Sequence, residues 1–238
     1  CGGFCYNYPN DYNQQIKEGI LPQSLKVLVF FGEYNYSFEK GVLPQSLETL
    51  ELGYNYNKQF KKGVLPKSLK ILKLDSEYNQ PFEKDVLPES LTYLKFNCNQ
   101  LFEKGILPKS LKTLILGKEY NQPFKKDVLP GSLKELYLGE EYNHPFEEGV
   151  LPKSLKTLKF NYESYYDHPF KKGVLPQSLT TLEFGTCYDY PFEKDVLPKS
   201  LKILKLGYYY NQPFEKGVLP QSLTYLYLGY CYDISFEK

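Results

Sequence analysis

The chain repeats itself about every 22 residues, and the repeated phrase is Leu-Pro-x-Ser-Leu. The prolines of this phrase are 22 residues apart, except for one interval of 20 and one of 24. A period of about 20–29 residues is typical of a solenoid that stacks one short strand per repeat. The length of the chain therefore measures the number of stacked repeats and not the number of domains. The prolines are Pro22, Pro44, Pro66, Pro88, Pro108, Pro130, Pro152, Pro176, Pro198 and Pro220.

One complete repeat predicts the local structure of the others. Leu111, Leu114 and Leu116 form an LxxLxL motif, whose last two leucines alternate as in a half-buried strand. Pro123 and Pro130 exclude an α-helix of even two turns on the returning side, because proline lacks a donor and restricts the residue before it. We therefore expect a leucine-rich-repeat-type solenoid with one short parallel strand per repeat. Its convex side should be extended or 3₁₀, with little or no α-helix.

The shortest repeat matches the leucine-rich-repeat formula L-x-x-L-x-L-x-x-N-x-L through Leu91, Leu94, Phe96, Asn99 and Leu101. Asn or Asp fills the same column in all eleven copies of the pattern. A buried amide both donates and accepts, so the column predicts a ladder between repeats, although Asn also favours turns for its own reasons. The column consists of Asn13, Asn35, Asn57, Asn79, Asn99, Asn121, Asn143, Asp167, Asp189, Asn211 and Asp233.

Two aromatic columns accompany the Asn column, with Tyr directly before it and Phe three residues after it in most copies. We interpret the Phe column as a spine in the core and not as a cofactor site, because it recurs with the repeat. No cofactor is predicted.

The phrase YNQPFEKGVLPQSLKTLKLG resembles the FNIP repeats, a branch of the leucine-rich-repeat class. The resemblance runs from about Tyr12 to Lys238, with Tyr in place of the family's first Phe and Phe in place of its usual Ile. Such repeats are found in social amoebae and in giant viruses that infect amoebae. Family members often carry an F-box before the repeats. The resemblance therefore implies the substrate-recognition part of a larger ubiquitin-ligase adaptor, although no F-box lies in this sequence.

Leucine-rich-repeat proteins usually bind through the concave face, which the third and fifth residues of LxxLxL should line. These two columns vary along the chain while the core columns do not. Two groups of apolar, aromatic and lysine residues predict a protein-binding surface. The same residue types also favour strands, which leaves a purely structural explanation open. The groups are Ile71, Lys73, Tyr93, Lys95, Ile115 and Tyr137, and then Ile203, Lys205, Tyr225 and Tyr227.

Other chemistries have weaker support. His144 and His168 lie in adjacent repeats, about 5 Å apart across the stack. We interpret them as two solvated loop residues and not as a metal site, because no column of the repeat supplies a third ligand. The serines of the repeated phrase have no histidine at a consistent offset, so we expect no catalytic residues and no enzyme.

The composition narrows the class of partner. The net charge is +1 and acidic pairs interrupt the lysines, which disfavours nucleic acid. No apolar run approaches the roughly 18 residues of a membrane span. Five cysteines at unrelated spacings predict reduced thiols in a cytoplasmic, intracellular protein. We expect a non-enzymatic scaffold that binds a protein partner; the alternative is a structural or carbohydrate-binding repeat protein whose exposed tyrosines stack on sugar rings.

The predicted organisation is a capping segment at residues 1–11 followed by one solenoid of about ten repeats at residues 12–238. The last repeat is incomplete, which predicts a further cap, a further domain or end-to-end self-association there. Methionine is absent, which predicts a processed product or part of a larger protein. The interval of 24 residues inserts residues 161–166 just before Asp167 and His168, and we expect any local specialisation there.

Overall fold

Each LxxLxL motif forms a strand that begins at the third residue of the motif, where the side chains start to alternate between the core and solvent. The computed structural model describes residues 14–235 of the chain. The predicted capping segment 1–11, Asn13 and the last three residues lie outside this range. The strands are β1 Val27–Val29, β2 Thr49–Leu52, β3 Ile71–Leu74, β4 Tyr93–Phe96, β5 Thr113–Leu116, β6 Glu135–Leu138, β7 Thr157–Phe160, β8 Thr181–Glu183, β9 Ile203–Lys205 and β10 Tyr225–Tyr227.

The strands form one parallel sheet in chain order, from β1 to β10. Equivalent residues of neighbouring repeats face each other, as Leu114 and Leu136 do. Within β5, Leu114 and Leu116 are buried while Thr113 and Ile115 are half-buried. The predicted solenoid is therefore confirmed, and the period of two within each strand sends alternate residues to the two faces of the sheet.

Turns and extended segments connect each strand to the next. Residues 14–235 contain no helix. In one repeat the N–H of Val128 donates to the carbonyl of Lys125 and that of Leu133 donates to the carbonyl of Pro130. The residue before Val128 is Asp127, whose φ of 63° lies in the left-handed region that most repeats fill with Gly. The convex side is therefore extended and does not form the 3₁₀ turn that was the alternative. Each of these turns has a single hydrogen bond, after which the backbone is extended again.

The interior holds the leucines of the motif and both aromatic columns. Consecutive rings of the Tyr column stack with centroids 6.1–6.3 Å apart wherever two tyrosines are adjacent. The Phe column stacks at 6.1–6.5 Å beside it. The Phe spine is confirmed. The Tyr column is the more deeply buried of the two, with the side chains from Tyr34 to Tyr210 at most 1 % exposed, and the sequence analysis did not predict this.

The Asn and Asp column links successive repeats through the backbone. The N–H of Asn143 donates to Oδ1 of Asn121 at 3.0 Å, and the same contact recurs at 2.8–3.2 Å. The prediction that the column is buried is wrong, since its members are half-buried or exposed. In an extended segment neighbouring side chains point to opposite sides, so the Tyr takes the interior and the Asn faces outward. The accepting residues are Asn35, Asn57, Asn99, Asn121, Asn143, Asp189 and Asn211.

A second ladder, which the sequence analysis missed, runs through the serines of the repeated phrase. Each hydroxyl donates to the carbonyl of the last leucine of the phrase in the preceding repeat, at 2.6–2.7 Å. These bonds fasten the side of the solenoid at which the strands begin, and they explain why Ser recurs without any catalytic partner. The donors are Ser46, Ser68, Ser90, Ser110, Ser132, Ser154, Ser178, Ser200 and Ser222.

Replacing Asn121 by Ala is expected to lower the free energy of unfolding by about 0.5–1.5 kcal/mol, because the N–H of Asn143 loses its acceptor while water can still reach it. Asn121→Asp is the matched control and should lose less, since Asp189 accepts from Asn211 in the same way. Urea unfolding measures both differences. Equal losses for Ala and Asp would contradict a role of the side-chain oxygen.

Candidate functional site

The residues predicted to bind a partner all project from the outward face of the sheet, which we call the sheet face. Six of them form a central patch on β3 to β6, and the other four form a terminal patch on β9 and β10. The central patch is Ile71, Lys73, Tyr93, Lys95, Ile115 and Tyr137, and the terminal patch is Ile203, Lys205, Tyr225 and Tyr227.

Strand register makes the central patch contiguous. Ile71 lies opposite Tyr93, Lys95 lies opposite Ile115, and Ile115 lies opposite Tyr137. All of these side chains are half-buried, so each shows part of its surface to solvent. Apolar and aromatic groups from four neighbouring strands therefore form one surface.

The terminal patch is smaller and more exposed. Tyr225 lies opposite Ile203, and Tyr227 lies opposite Lys205. The two tyrosines are 49 % and 50 % exposed. The ammonium of Lys205 lies 5.9 Å from the ring centroid of Tyr225, which is within the range of a cation–π contact.

Glutamates on the same face neutralise most of its lysines, and the sequence analysis did not foresee this. Lys73 bonds to Glu51 at 2.7 Å, and this hydrogen bond raises the pKa of Lys73. Glu183 lies 2.9 Å from Lys159 and 3.3 Å from Lys205. The partners share one column a repeat apart, so register alone brings them together.

Lys95 differs from the other lysines of this face. Within the described part of the chain, Lys73, Lys159 and Lys205 each have a carboxylate partner, and Lys95 has none. It also sits beside Ile115 in the middle of the central patch. A charged group from outside the protein would meet an uncompensated cation at this point.

Tyr137 is held in place by its neighbours. Its hydroxyl lies 3.5 Å from a carboxylate oxygen of Glu135, which also accepts from the hydroxyl of Thr113 at 3.2 Å. The ammonium of Lys159 lies 5.9 Å from its ring centroid. Burial, followed by the charge of Glu135, raises the pKa of Tyr137. The ring is thus an oriented aromatic surface and remains a neutral phenol at physiological pH.

The two histidines bind backbone carbonyls and not each other. Nε2 of His144 lies 3.1 Å from the carbonyl oxygen of Asn121, and Nε2 of His168 lies 3.1 Å from that of Asn143. A carbonyl only accepts, so Nε2–H must be the donor in both contacts. No three His, Cys, Asp or Glu side chains within residues 14–235 are placed to hold a metal ion.

A group of tyrosines, three exposed and one half-buried, lies on the side of the solenoid where the strands end, and the sequence analysis missed it. We call Tyr162, Tyr208, Tyr209 and Tyr230 the strand-end tyrosines. The rings of Tyr208 and Tyr230 stack at 5.1 Å, and Tyr209 meets Tyr208 edge-on at 5.0 Å. Tyr162 belongs to the inserted residues, and its carbonyl accepts from the N–H of Thr186 at 2.8 Å. The signal in the sequence was the pair of adjacent tyrosines, Tyr208 and Tyr209, that follows a strand, and a comparison of repeat columns does not single it out.

Between residues 14 and 235 the chain contains no helix of the length and hydropathy that crossing a bilayer requires. The thiols of Cys98, Cys187 and Cys231 are free, and Cys98 is buried among the stacked repeats.

Comparisons with known proteins agree with this architecture. The family model described as FNIP Repeat matches residues 12–55, 56–99, 99–141, 142–187 and 188–231. The crystal structure of CroV588, a giant-virus protein described as a novel circular leucine-rich-repeat protein, is 37 % identical with a TM-score of 0.78. The match covers 93 % of this chain and 36 % of that one, so this chain spans about a third of its length. No curated protein matches the sequence.

Proposed function

The chain belongs to the FNIP repeat family, and from that premise we propose that this repeat scaffold is non-enzymatic and binds a protein partner through the central patch of its sheet face. The observation that carries the proposal is the continuous surface from Ile71 to Tyr137, in which Lys73 has a carboxylate partner and Lys95 has none among the described residues. Aromatic and aliphatic side chains beside one uncompensated cation suit a protein surface with an apolar centre and a carboxylate.

Energetics favour a hot spot at the tyrosines. Tyr93 and Tyr137 have rings that neighbouring lysines already orient, so little freedom is lost when a partner covers them. A tyrosine that acts as a hot spot typically costs about 2 kcal/mol or more when it is truncated to Ala. A carboxylate from the partner would reach Lys95, which lies on the same strand as Tyr93, and fix the register.

The double substitution Tyr93→Ala/Tyr137→Ala is expected to weaken binding of the partner by roughly a hundredfold or more, because two hot spots are removed. Lys95→Glu is expected to weaken it about tenfold through charge repulsion. The partner is first captured from a lysate, then prepared as a pure protein, and its dissociation constant is measured by calorimetry.

The matched control is Thr157→Ala/Thr181→Ala, which changes the same face between the two patches. It should leave the dissociation constant unchanged. Equal weakening by the control, or no weakening by Tyr93→Ala/Tyr137→Ala, would overturn the central patch as the binding surface.

The role as the substrate-recognition part of an F-box adaptor is a finer proposal that the family resemblance alone supports. The full open reading frame is its test. An F-box upstream of the repeats would support it, and a different domain in that position would overturn it.

End-to-end self-association is also a proposal. CroV588 is described as circular and this chain covers 36 % of it, so a closed ring of the same size would take about three copies joined head to tail. Sedimentation velocity at several concentrations tests this, and a monomer at all of them would remove the proposal.

A second candidate function, carbohydrate binding, is favoured by the strand-end tyrosines. Tyr209 and Tyr230 are 55 % and 80 % exposed, and Tyr208 stacks on Tyr230. Exposed aromatic faces of this kind can stack on sugar rings. Binding to a glycan array that Tyr208→Ala/Tyr230→Ala abolishes, and that Tyr93→Ala/Tyr137→Ala leaves intact, would select this function over the first.

A further inference from the structure

A groove opens on the side of the solenoid where the strands begin, opposite the strand-end tyrosines. It has a volume of about 870 Å³ and spans three successive repeats. Gly131 lies in its middle and occupies the x position of the Leu-Pro-x-Ser-Leu phrase. The other copies of the phrase carry Gln, Lys or Glu at this position. Gly131 therefore adds no side chain to the lining of the groove.

One lysine of the groove, Lys126, has no carboxylate partner, because the left-handed turn position that faces it carries Gly, as it does in most repeats. Lys104 bonds to Asp127 of the next repeat at 3.2 Å, and the equivalent pairs Lys62–Asp85 and Lys172–Asp195 do the same. Lys126 is the next lysine of this column, but Gly149 stands where its aspartate would be. The side chain of Lys126 lies over Gly149 without an ion-pair partner among the described residues.

A backbone donor is left open at the same place. Earlier in the solenoid, Oε2 of Glu89 at the x position accepts from the N–H of Lys109, the x residue of the next repeat, at 3.0 Å. Within the described residues only Glu89 makes this contact, and Gly131, which has no side chain, leaves the equivalent N–H of Lys153 without it. Glu89 thus shows, within the same protein, how a carboxylate fits this position.

The charge of the groove distinguishes it from its counterparts. Four lysines and one aspartate line it, a net charge of +3. Three other grooves on this side are neutral, since two lysines face two acids in one and one lysine faces one acid in each of the other two. One of them adjoins this groove and shares Lys153 with it. The positive potential is therefore confined to a length of about 10–14 Å, from three strands at about 4.8 Å each.

We propose that this groove binds an acidic peptide segment of a protein, with carboxylates at Lys109, Lys126 and Lys153 and at the open N–H of Lys153. The floor is apolar, formed by Leu107, Val128 and Leu151, and it suits the aliphatic side chains between the acids. A nucleic acid would extend past the three repeats into the neutral grooves, where nothing favours its phosphates. The site lies away from the sheet face and does not depend on the function proposed above.

The probe is a fluorescein-labelled peptide of about six residues with alternating Glu and Leu, which in extended form crosses three repeats. Fluorescence anisotropy measures its affinity for the whole chain. The expected result is at least tenfold tighter binding than that of the analogue with Gln in place of Glu, and weaker binding as salt increases. Equal affinity for the two peptides would overturn the proposal.

Gly131→Glu is the decisive variant. A Cβ at Gly131 meets nothing within 4 Å, so the substitution should not disturb the fold. The new carboxylate should reach the N–H of Lys153 as Glu89 reaches that of Lys109, and it should reduce peptide affinity at least tenfold. Gly131→Ala keeps the groove open and should retain binding, as should Gln221→Glu, the same change at the x position of a neutral groove that shares no residue with this one.

Two further outcomes separate this site from others. Tyr93→Ala/Tyr137→Ala should leave peptide affinity unchanged, and a loss there would place the peptide on the sheet face and overturn the groove. The second outcome comes from competition with inorganic phosphate. If phosphate at low millimolar concentration displaces the peptide completely, the groove is a small-anion site and the peptide proposal fails.

Discussion

The protein is expected to unfold steeply as the pH rises above about 10, because its buried tyrosines cannot ionise in place. Burial raises the pKa of seven tyrosines far above the usual value, with neighbouring tyrosines adding to the effect at several of them. In the unfolded chain the same groups ionise near pH 10. The seven are Tyr56, Tyr78, Tyr120, Tyr142, Tyr166, Tyr188 and Tyr210.

The sign follows from proton linkage. The folded pKa of each tyrosine lies above its unfolded pKa, so its stabilising contribution is fully present below pH 10 and is lost as the pH rises beyond it. Each buried tyrosine that ionises only on unfolding lowers the free energy of unfolding by about 1.4 kcal/mol for each further pH unit. Seven together give about 10 kcal/mol per unit, which is comparable to the whole stability of a typical domain.

Urea unfolding between pH 8 and pH 11.5 measures this dependence. Tyr120→Phe/Tyr142→Phe/Tyr166→Phe should reduce the slope above pH 10 by about 4 kcal/mol per unit, since three of the seven groups no longer titrate. Tyr162→Phe is the matched control, because Tyr162 is 68 % exposed, and it should leave the slope unchanged. A free energy of unfolding that stays constant up to pH 11.5 would show that the tyrosine column is not closed to solvent.

Gly139→Ala is expected to destabilise the protein by about 3 kcal/mol, close to the upper end for an overpacked site. A Cβ at Gly139 would overlap the carbonyl oxygen and carbon of Gly117 in the preceding repeat. These atoms belong to the backbone, so no side chain can rotate away and the two repeats would have to separate. The same overlap recurs for Gly207 against Gly185 and for Gly229 against Gly207.

The matched control is Gly131→Ala, which introduces the same methyl group where nothing lies within 4 Å. It should leave the free energy of unfolding unchanged or raise it by up to about 1 kcal/mol, because the unfolded chain loses freedom. Thermal and urea unfolding of the two variants test the contrast. Similar stabilities would mean that the repeats shift easily at this column, which Phe31, Asp75, Asn97 and Asn161 occupy in other repeats.

Hydrophobic periodicity predicted the strands well. The alternation of Leu114 and Leu116 placed β5 and, through the repeat, every other strand, because a period of two has only one way to bury its leucines. The Phe spine followed by the same reasoning. The Tyr column did not, since Tyr has a polar hydroxyl that composition alone assigns to the surface as readily as to the core.

The candidate site was predicted in position but not in charge. The ten residues of the two patches lie on the sheet face because their place in the motif determines their face. Their electrostatic state depends on neighbours 22 residues away, as the pairing of Lys73 with Glu51 shows. Lys95 became distinct only when the ion pairs of the other lysines on this face were known.

The sequence by itself determined the periodicity, the solenoid class, the outward columns and the family, because each of these depends on the order and spacing of residues along the chain. Tertiary structure alone decided the burial of the tyrosines, the serine ladder, the neutralised lysines and the basic groove. Each of these depends on which atoms of one repeat meet those of the next. The charge of the groove depends on which lysines of three successive repeats line it together and on the aspartate that Gly149 does not supply to Lys126, and both follow only from the stacking.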